Sequence, residues 1–277
     1  MIRILINGQE QNTVSALDRG LHYGDGVFET MRVCDNQVQL WEYHWNRLQQ
    51  GCQRLRITLA EKNIIEQEIL LLSEKNNKHV IKLIMTRGEG QRGYRFSKDC
   101  NSTRIIISYP WVDYPATYHT KGVSVRYCET ILSENKQLAG IKHLNRLEQV
   151  LARNEWEDEY QEGLMLTSSG HVVDGTMSNV FAVKNNILYT PDITYCGVAG
   201  VMRTTIIKLA KELNIQVVEK IITPDELAIA DEIFLTNSLF GIWPVREIAK
   251  VSLNKSGIIT RKLQQKMTEL FGDTCAA

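Results

Sequence analysis

The sequence predicts a mixed α/β (α+β) protein of two domains, and three observations carry that prediction. Short strand-like runs alternate with stretches whose apolar residues recur every three to four positions. The 277 residues suffice for two modest domains, each with its own core. Residues 109–122, YPWVDYPATYHTKG, have no periodicity and hold two of the five prolines, so a break belongs there. The expected division is an N-terminal α/β domain over 1–112, a connection over 113–121 and a C-terminal domain over 122–277.

The elements follow in order. Residues 2–6 read as a strand ending in a turn at Asn7-Gly8, and 27–33 as a second strand. Between them LDRGLHYGDG (17–26) reads as a glycine-punctuated loop. Trp41, Trp45, Leu48, Cys52 and Leu55 repeat with helical spacing, and IIEQEILLL lies in a second helix at about 61–74. HVIKLIMTR (79–87) and RIIISYP (104–110) read as buried strands around a polar loop. Beyond the connection come a strand at 122–128, a helix after Lys142, and strands near 162–167 and 178–190. A helix at about 201–213, strands near 215–220 and 231–236, and a last helix from about 260 complete the chain. Asn145 and Glu148 have capping-box spacing, which places Lys142 in a tight turn just before its helix.

Lys plus Arg and Asp plus Glu number 32 each, which removes the electrostatic reason to expect nucleic acid or an anionic membrane as partner. No apolar run approaches the roughly 20 residues a membrane helix needs, and the N-terminus lacks a signal-peptide pattern. The six cysteines are scattered without a CxxC, which predicts unpaired, reduced thiols and a cytoplasmic protein. The six histidines show no HxxxH or HxH spacing, so no metal is expected, and no GxSxG supports a hydrolase.

In RGEGQRG, Gly88, Gly90 and Gly93 have dinucleotide-fingerprint spacing, but no helix opens after them. Arg92, Tyr94 and Arg95 suit a substrate carboxylate or a solvated basic loop equally. In CGVAGVMRTTIIKLAKEL, Gly197 and Gly200 lead into a helix whose first turn holds Val201, Met202 and Arg203; this is an anion site or an ordinary helix start. Asp174-Gly175 reads as a tight turn, TNS at 236–238 as a polar strand end, and Arg47 as a solvated helix charge. One cofactor needs all of these together. Pyridoxal phosphate requires a lysine, a carboxylate facing its ring nitrogen, and a cup of N–H, hydroxyl and Arg donors. Lys142, Asp174, the 200–203 turn, Ser238 and Arg47 would supply one of each.

At DRGLHYGDGVFETMR, HWNRL, RGEGQRGYR, GIKHLNRLEQVLAR, DGTMSNVF, GVMR and TNSLFGIWPV the chain resembles the fold-type IV pyridoxal-phosphate enzymes. GIKHLNRLEQVLAR, the RGYR loop and Thr30 resemble the lyase branch of that family, and Leu147 stands where branched-chain aminotransferases carry a tyrosine. The resemblance implies a smaller N-terminal α/β domain, a larger C-terminal domain with a β-barrel-like sheet, and a homodimer with active sites near domain and subunit junctions. It implies conversion of 4-amino-4-deoxychorismate to 4-aminobenzoate and pyruvate, a step of folate biosynthesis, through an aldimine between substrate and cofactor. An aminotransferase for D- or branched-chain amino acids is the alternative. By the same resemblance Lys142 is the cofactor lysine, and Arg47, Val201, Met202 and Ser238 cradle the phosphate. Asp174 pairs with the ring nitrogen, where many members have glutamate. Thr30 assists proton delivery to the leaving group, with Lys142 its competitor, and Arg92, Tyr94 and Tyr23 are candidates for binding substrate.

Overall fold

A computed structural model describes residues 2–73, 78–97, 100–253 and 257–271. The chain divides into two compact units, Met1–Val112 with Ile141–Asn145, and Asp113–Gly140 with Arg146–Ala277.

The first unit runs β1 (Arg3–Ile6), β2 (Gln9–Glu10), α1 (Arg19–Tyr23), β3 (Gly26–Cys34), β4 (Gln37–Val38), α2 (Trp41–Leu55), α3 (Lys62–Leu72), β5 (His79–Thr86) and β6 (Thr103–Pro110). Its six strands form one antiparallel sheet in the order β2-β1-β6-β5-β3-β4. Asn7 and Gly8 take φ values of 51° and 83°, which close the β1–β2 hairpin. Period-two alternation sends Val27 and Met31 of β3 into a core with Leu48 and Cys52 of α2 and Ile65 and Ile69 of α3. Phe28, Thr30 and Arg32 therefore point to the opposite face of the sheet. The loop expected at 17–26 contains α1, one turn long, capped by Asp18, whose side chain accepts from the Gly20 N–H. Five residues are too few for apolar periodicity to reveal, although Asp18 and Gly24, at φ 62°, are ordinary cap residues.

The second unit runs α4 (Ala116–Thr120), β7 (Val123–Leu132), α5 (Leu147–Arg153), β8 (Glu162–Thr167), β9 (Val172–Gly175), β10 (Asn179–Lys184) and β11 (Ile187–Pro191). It continues through α6 (Val201–Glu212), β12 (Val217–Lys220), α7 (Pro224–Ala228), β13 (Glu232–Asn237), β14 (Gly241–Ile248), β15 (Val251–Ser252) and α8 (Ile258–Phe271). Strands β10, β13, β14, β7, β8 and β9 pair in sequence, and β9 pairs back to β10, so six strands close on themselves. The barrel-like sheet is present. Its closing pair is Asp174 of β9 with Asn179 of β10. Val125, Leu164, Val180, Leu235, Phe240 and Trp243 fill the core.

Two expectations are corrected. Asn145 and Glu148 make no capping box: α5 starts from Arg146 without a side-chain cap, while Glu148 accepts from the Ser133 N–H and Asn145 donates to the Gly24 carbonyl. Other partners claimed both side chains. The cysteines are not all unpaired either. Cys52, Cys100, Cys128 and Cys196 are free, but Cys34 is disulfide-bonded. Spacing along the chain cannot tell which thiols folding brings together. Cys275 lies outside the described residues. Among the described residues, no helix is long and apolar enough to cross a membrane.

Candidate functional site

Lys142 lies in an extended segment, not in the tight turn expected. Its carbonyl accepts from the Phe28 N–H at 2.9 Å, Leu144 N–H donates to the Gly26 carbonyl at 3.0 Å, and His143 bridges Val27. The segment is thus an extra strand-like pairing along the start of β3. Gly26 permits the approach, since a Cβ there would come within 2.6 Å of the Leu144 side chain and 2.5 Å of the Met85 carbonyl. The pairing fixes the Lys142 backbone and lays its Nζ 4.6 Å from the centre of the Phe28 ring. Lys82 Nζ lies 5.2 Å from the same ring, and Lys82 stands opposite Thr30 in the β3–β5 ladder.

On the other face of β3, Glu29 is buried against α2. It accepts from Arg47 Nε at 2.8 Å and Nη2 at 2.5 Å, and shares a hydrogen with His44 Nδ1 at 2.6 Å. The Arg47 side chain is only 10% exposed, so the solvated helix charge expected from spacing is a buried ion pair. Burial alone would raise the Glu29 pKa, but the Arg47 charge and the hydrogen bonds from Arg47 and His44 prevail and hold it at about 2. Burial lowers the His44 pKa against the pull of Glu29, which favours the neutral ring.

The loop after β5 is held from below. Arg19 donates from Nη1 to the Gly93 carbonyl at 2.8 Å and from Nη2 to the Tyr94 carbonyl at 3.1 Å, while its Nε meets Asp25 at 3.0 Å. The Tyr23 hydroxyl accepts from the Gly93 N–H, and the Tyr23 and Tyr94 rings lie 5.6 Å apart. Tyr23 and Tyr94 are therefore neighbours, whereas the Arg92 side chain is exposed to solvent and Tyr94 is 86% exposed.

In the second unit Asp174 is a strand residue, the last but one of β9; the turn follows Gly175, whose N–H donates to the Ser178 carbonyl. Asp174 Oδ1 accepts from Asn179 Nδ2 at 2.7 Å and Oδ2 from the Val198 N–H at 2.8 Å. Both donors are neutral. Desolvation outweighs them and the more distant Arg203 and Arg146 charges, pushing the Asp174 pKa up to about 7. Asn179 Nδ2 also donates to the Val198 carbonyl. A Cβ at Gly200 would lie 1.8 Å from Asn179 Oδ1, so any larger residue at the start of α6 would displace the Asn179 side chain. That helix has no side-chain cap, and its first-turn N–H groups, at Val201 and Met202, have no intrahelical acceptor. Asn237 Oδ1 accepts from the Leu239 and Phe240 N–H groups, shaping the turn that carries Ser238, and its Nδ2 donates to the Met177 carbonyl at 3.2 Å.

Several contributors escaped sequence reasoning. Glu162, fully buried, accepts from the N–H groups of Gly163, Thr176 and Met177 and the hydroxyls of Thr176 and Ser178, pinning the turn between Asp174 and Asn179. Nothing in its local sequence signals this. Glu29 and Lys82 were detectable in principle, as charges inside otherwise apolar strands. Of the sequence candidates, Lys142, Thr30, Arg47, Arg92, Tyr94 and Tyr23 belong to the first unit, and Asp174, Val201, Met202 and Ser238 to the second.

Residues 26–248 match the model of the family described as amino-transferase class IV. The chain is 33% identical over 264 residues to the aminodeoxychorismate lyase of Vibrio harveyi, spanning 94% of this chain and 97% of that protein. It is 34% identical over 279 residues to a putative branched-chain-amino-acid aminotransferase of Methanocaldococcus jannaschii, spanning 97% and 96%. Among solved structures, the 4-amino-4-deoxychorismate lyase of Pseudomonas aeruginosa superposes with a TM-score of 0.91 at 43% identity, covering 96% of this chain and 98% of that one. The branched-chain amino acid aminotransferase of Escherichia coli reaches 0.87 at 27% identity, covering 98% and 95%. With its motifs spread over both units and a family match across most of its length, the chain belongs to the class IV aminotransferase family.

Proposed function

We propose that the protein is a pyridoxal-phosphate-dependent lyase that converts 4-amino-4-deoxychorismate to 4-aminobenzoate and pyruvate. The observation that carries the reading is the likeness to the Pseudomonas lyase structure, well above that to the Escherichia aminotransferase of the same fold. The residues fit the cofactor chemically. Asp174 is a buried carboxylate whose contacting donors are all neutral, and a protonated ring nitrogen beside it would supply the missing cation. The uncapped start of α6, with a glycine packed against Asn179 at position 200, suits a phosphate.

Bound pyridoxal phosphate supplies an aldehyde for the substrate amine and a ring that accepts electron density when the adjacent C–H bond breaks. In this assignment Lys142 would hold that aldehyde, and its amine would take the proton from the ring carbon bearing nitrogen. Asp174 keeps a proton at the cofactor's ring nitrogen. Val201 and Met202 N–H groups, the Ser238 hydroxyl and Arg47 would hold the phosphate, and Arg92, Tyr94 and Tyr23 would receive a substrate carboxylate. Loss of the C–H proton and cleavage of the neighbouring C–O bond leave an aromatic ring; the departing enolpyruvate gains a proton, from Thr30 or Lys142, and becomes pyruvate. The phosphate sets where the cofactor sits, so these residues govern affinity more than rate.

The Methanocaldococcus relative favours a second reading, an aminotransferase using the same lysine. Leu147, where that reading needs a tyrosine, is 77% exposed and has no acid or base to offer. We place the protein in the cytoplasm as a homodimer. On α5, Leu147, Val150 and Leu151 form an i, i+3, i+4 apolar face, 77%, 53% and 62% exposed, which supports a partner copy. The test supplies aminodeoxychorismate to the yellow protein and follows both products. One-to-one 4-aminobenzoate and pyruvate, lost in Lys142→Ala, is the expected result. Cofactor conversion by amino-acid donors without either product would select the aminotransferase.

A further inference from the structure

We infer that Glu29 and His44 are positioning residues that aim the Arg47 guanidinium at the cofactor's phosphate. The inference rests on the proposed pyridoxal-phosphate reading. A lone arginine loses considerable rotamer freedom on binding an anion. Here Glu29 grips the planar fork along one edge, through Nε and Nη2, which fixes the plane in which the guanidinium presents its N–H groups to an anion. Glu29 Oε2 is itself held by His44 Nδ1. His44 is wholly buried, and its Nε2 has no hydrogen-bond partner among the described residues. A proton on Nε2 would be a buried donor without an acceptor, so the ring keeps its hydrogen on Nδ1 and points it at Glu29. The geometry is a chain from His44 to Glu29 to Arg47, with the direction of each hydrogen bond set.

The chain makes a prediction opposite to that of simple charge masking. Glu29 and Arg47 together carry no net charge. If Glu29 only neutralised Arg47, removing its charge would tighten phosphate binding. If Glu29 aims Arg47, removing its charge weakens it.

The experiment compares binding of pyridoxal phosphate and of pyridoxal, which lacks the phosphate, to cofactor-stripped protein. Wild type, Glu29→Gln, Arg47→Ala and the double variant are titrated by absorbance. Glu29→Gln should weaken pyridoxal phosphate about tenfold, the scale of a charge-assisted hydrogen bond, and leave pyridoxal unchanged. It should add nothing in the Arg47→Ala background. Equal loss for both ligands would mean a merely structural role and overturn the inference, as would tighter pyridoxal phosphate binding. A phosphate-specific loss in Arg47→Ala without one in Glu29→Gln overturns the inference but leaves the cofactor reading standing. No phosphate-specific loss in Arg47→Ala would sink the assignment of Arg47 and the inference with it. Should Glu29→Gln fail to fold, Glu29→Asp keeps the charge while shortening the reach, and the same phosphate-specific loss is expected.

Discussion

Glu29 and Asp174 are both buried carboxylates, 1% and 7% exposed, yet their pKa values move in opposite directions, to about 2 and about 7. Burial is the largest influence on each and raises both. What differs is the partner. Glu29 touches a guanidinium and an imidazole N–H, and the full charge of Arg47 overcomes desolvation. Asp174 touches an amide and a backbone N–H, whose partial charges do not. The comparison teaches that burial sets the stake and the formal charge of the nearest group sets the sign. It also separates two kinds of site component. The Glu29–Arg47 pair balances its charge within the chain, whereas the donors that touch Asp174 carry no formal charge.

The largest effect expected is at Lys142. Lys142→Ala should remove the cofactor's imine absorbance and slow turnover by more than about 1,000-fold, leaving both carboxylates in place. Turnover that survives would dismantle the site as assigned. Next comes Asp174→Asn, which keeps the shape and loses the charge. Pyridoxal phosphate should still bind, while kcat falls about 100-fold; an unchanged kcat would mean that Asp174 needs no cation and the contrast with Glu29 has no functional content. Gly200→Ala should act through Asn179, whose Oδ1 a new Cβ would meet at 1.8 Å, loosening its hydrogen bond to Asp174. A roughly tenfold loss of cofactor affinity, about one hydrogen bond's worth, would be read by absorbance titration. Retained affinity would show that Asn179 does not organise the helix start.

The smallest effect is a pH slope in the stability of the cofactor-free protein. Between about pH 3.8 and 7 the folded state holds a proton on Asp174 that the unfolded state releases, so this group costs stability as pH rises through that window. Glu29 runs the other way. Its contribution is present above about pH 4.5 and is lost as pH falls towards 2. Thermal melts across both windows should flatten between pH 3.8 and 7 in Asp174→Asn and below pH 4.5 in Glu29→Gln. The same slope in variant and wild type would remove the physical basis of the comparison.

Much of this was legible in the sequence. Helices α2 and α6 and strands β5 and β6 followed from apolar spacing, because periodicity is carried by the elements themselves. The motifs around Lys142, Asp174 and the 200–203 turn were likewise readable as candidates for one cofactor. The failures have a common cause. Asn145 and Glu148 had the spacing of a capping box, but the Gly24 carbonyl and the Ser133 N–H took their side chains. Arg47 read as a solvated charge because Glu29, 18 residues earlier, is invisible to any helical window. Asp174 read as part of a turn because nothing local announces that it closes a barrel against Asn179. The sequence by itself determined the longer, periodic strands and helices and which residue types are available for chemistry, since those depend on neighbours within a few positions; short elements such as α1 and α4 were not visible in it. The tertiary structure alone decided which charge faces which donor, and hence which carboxylate is held ionised and which is pushed towards its neutral form, because that depends on contacts made across the sheet and around the barrel.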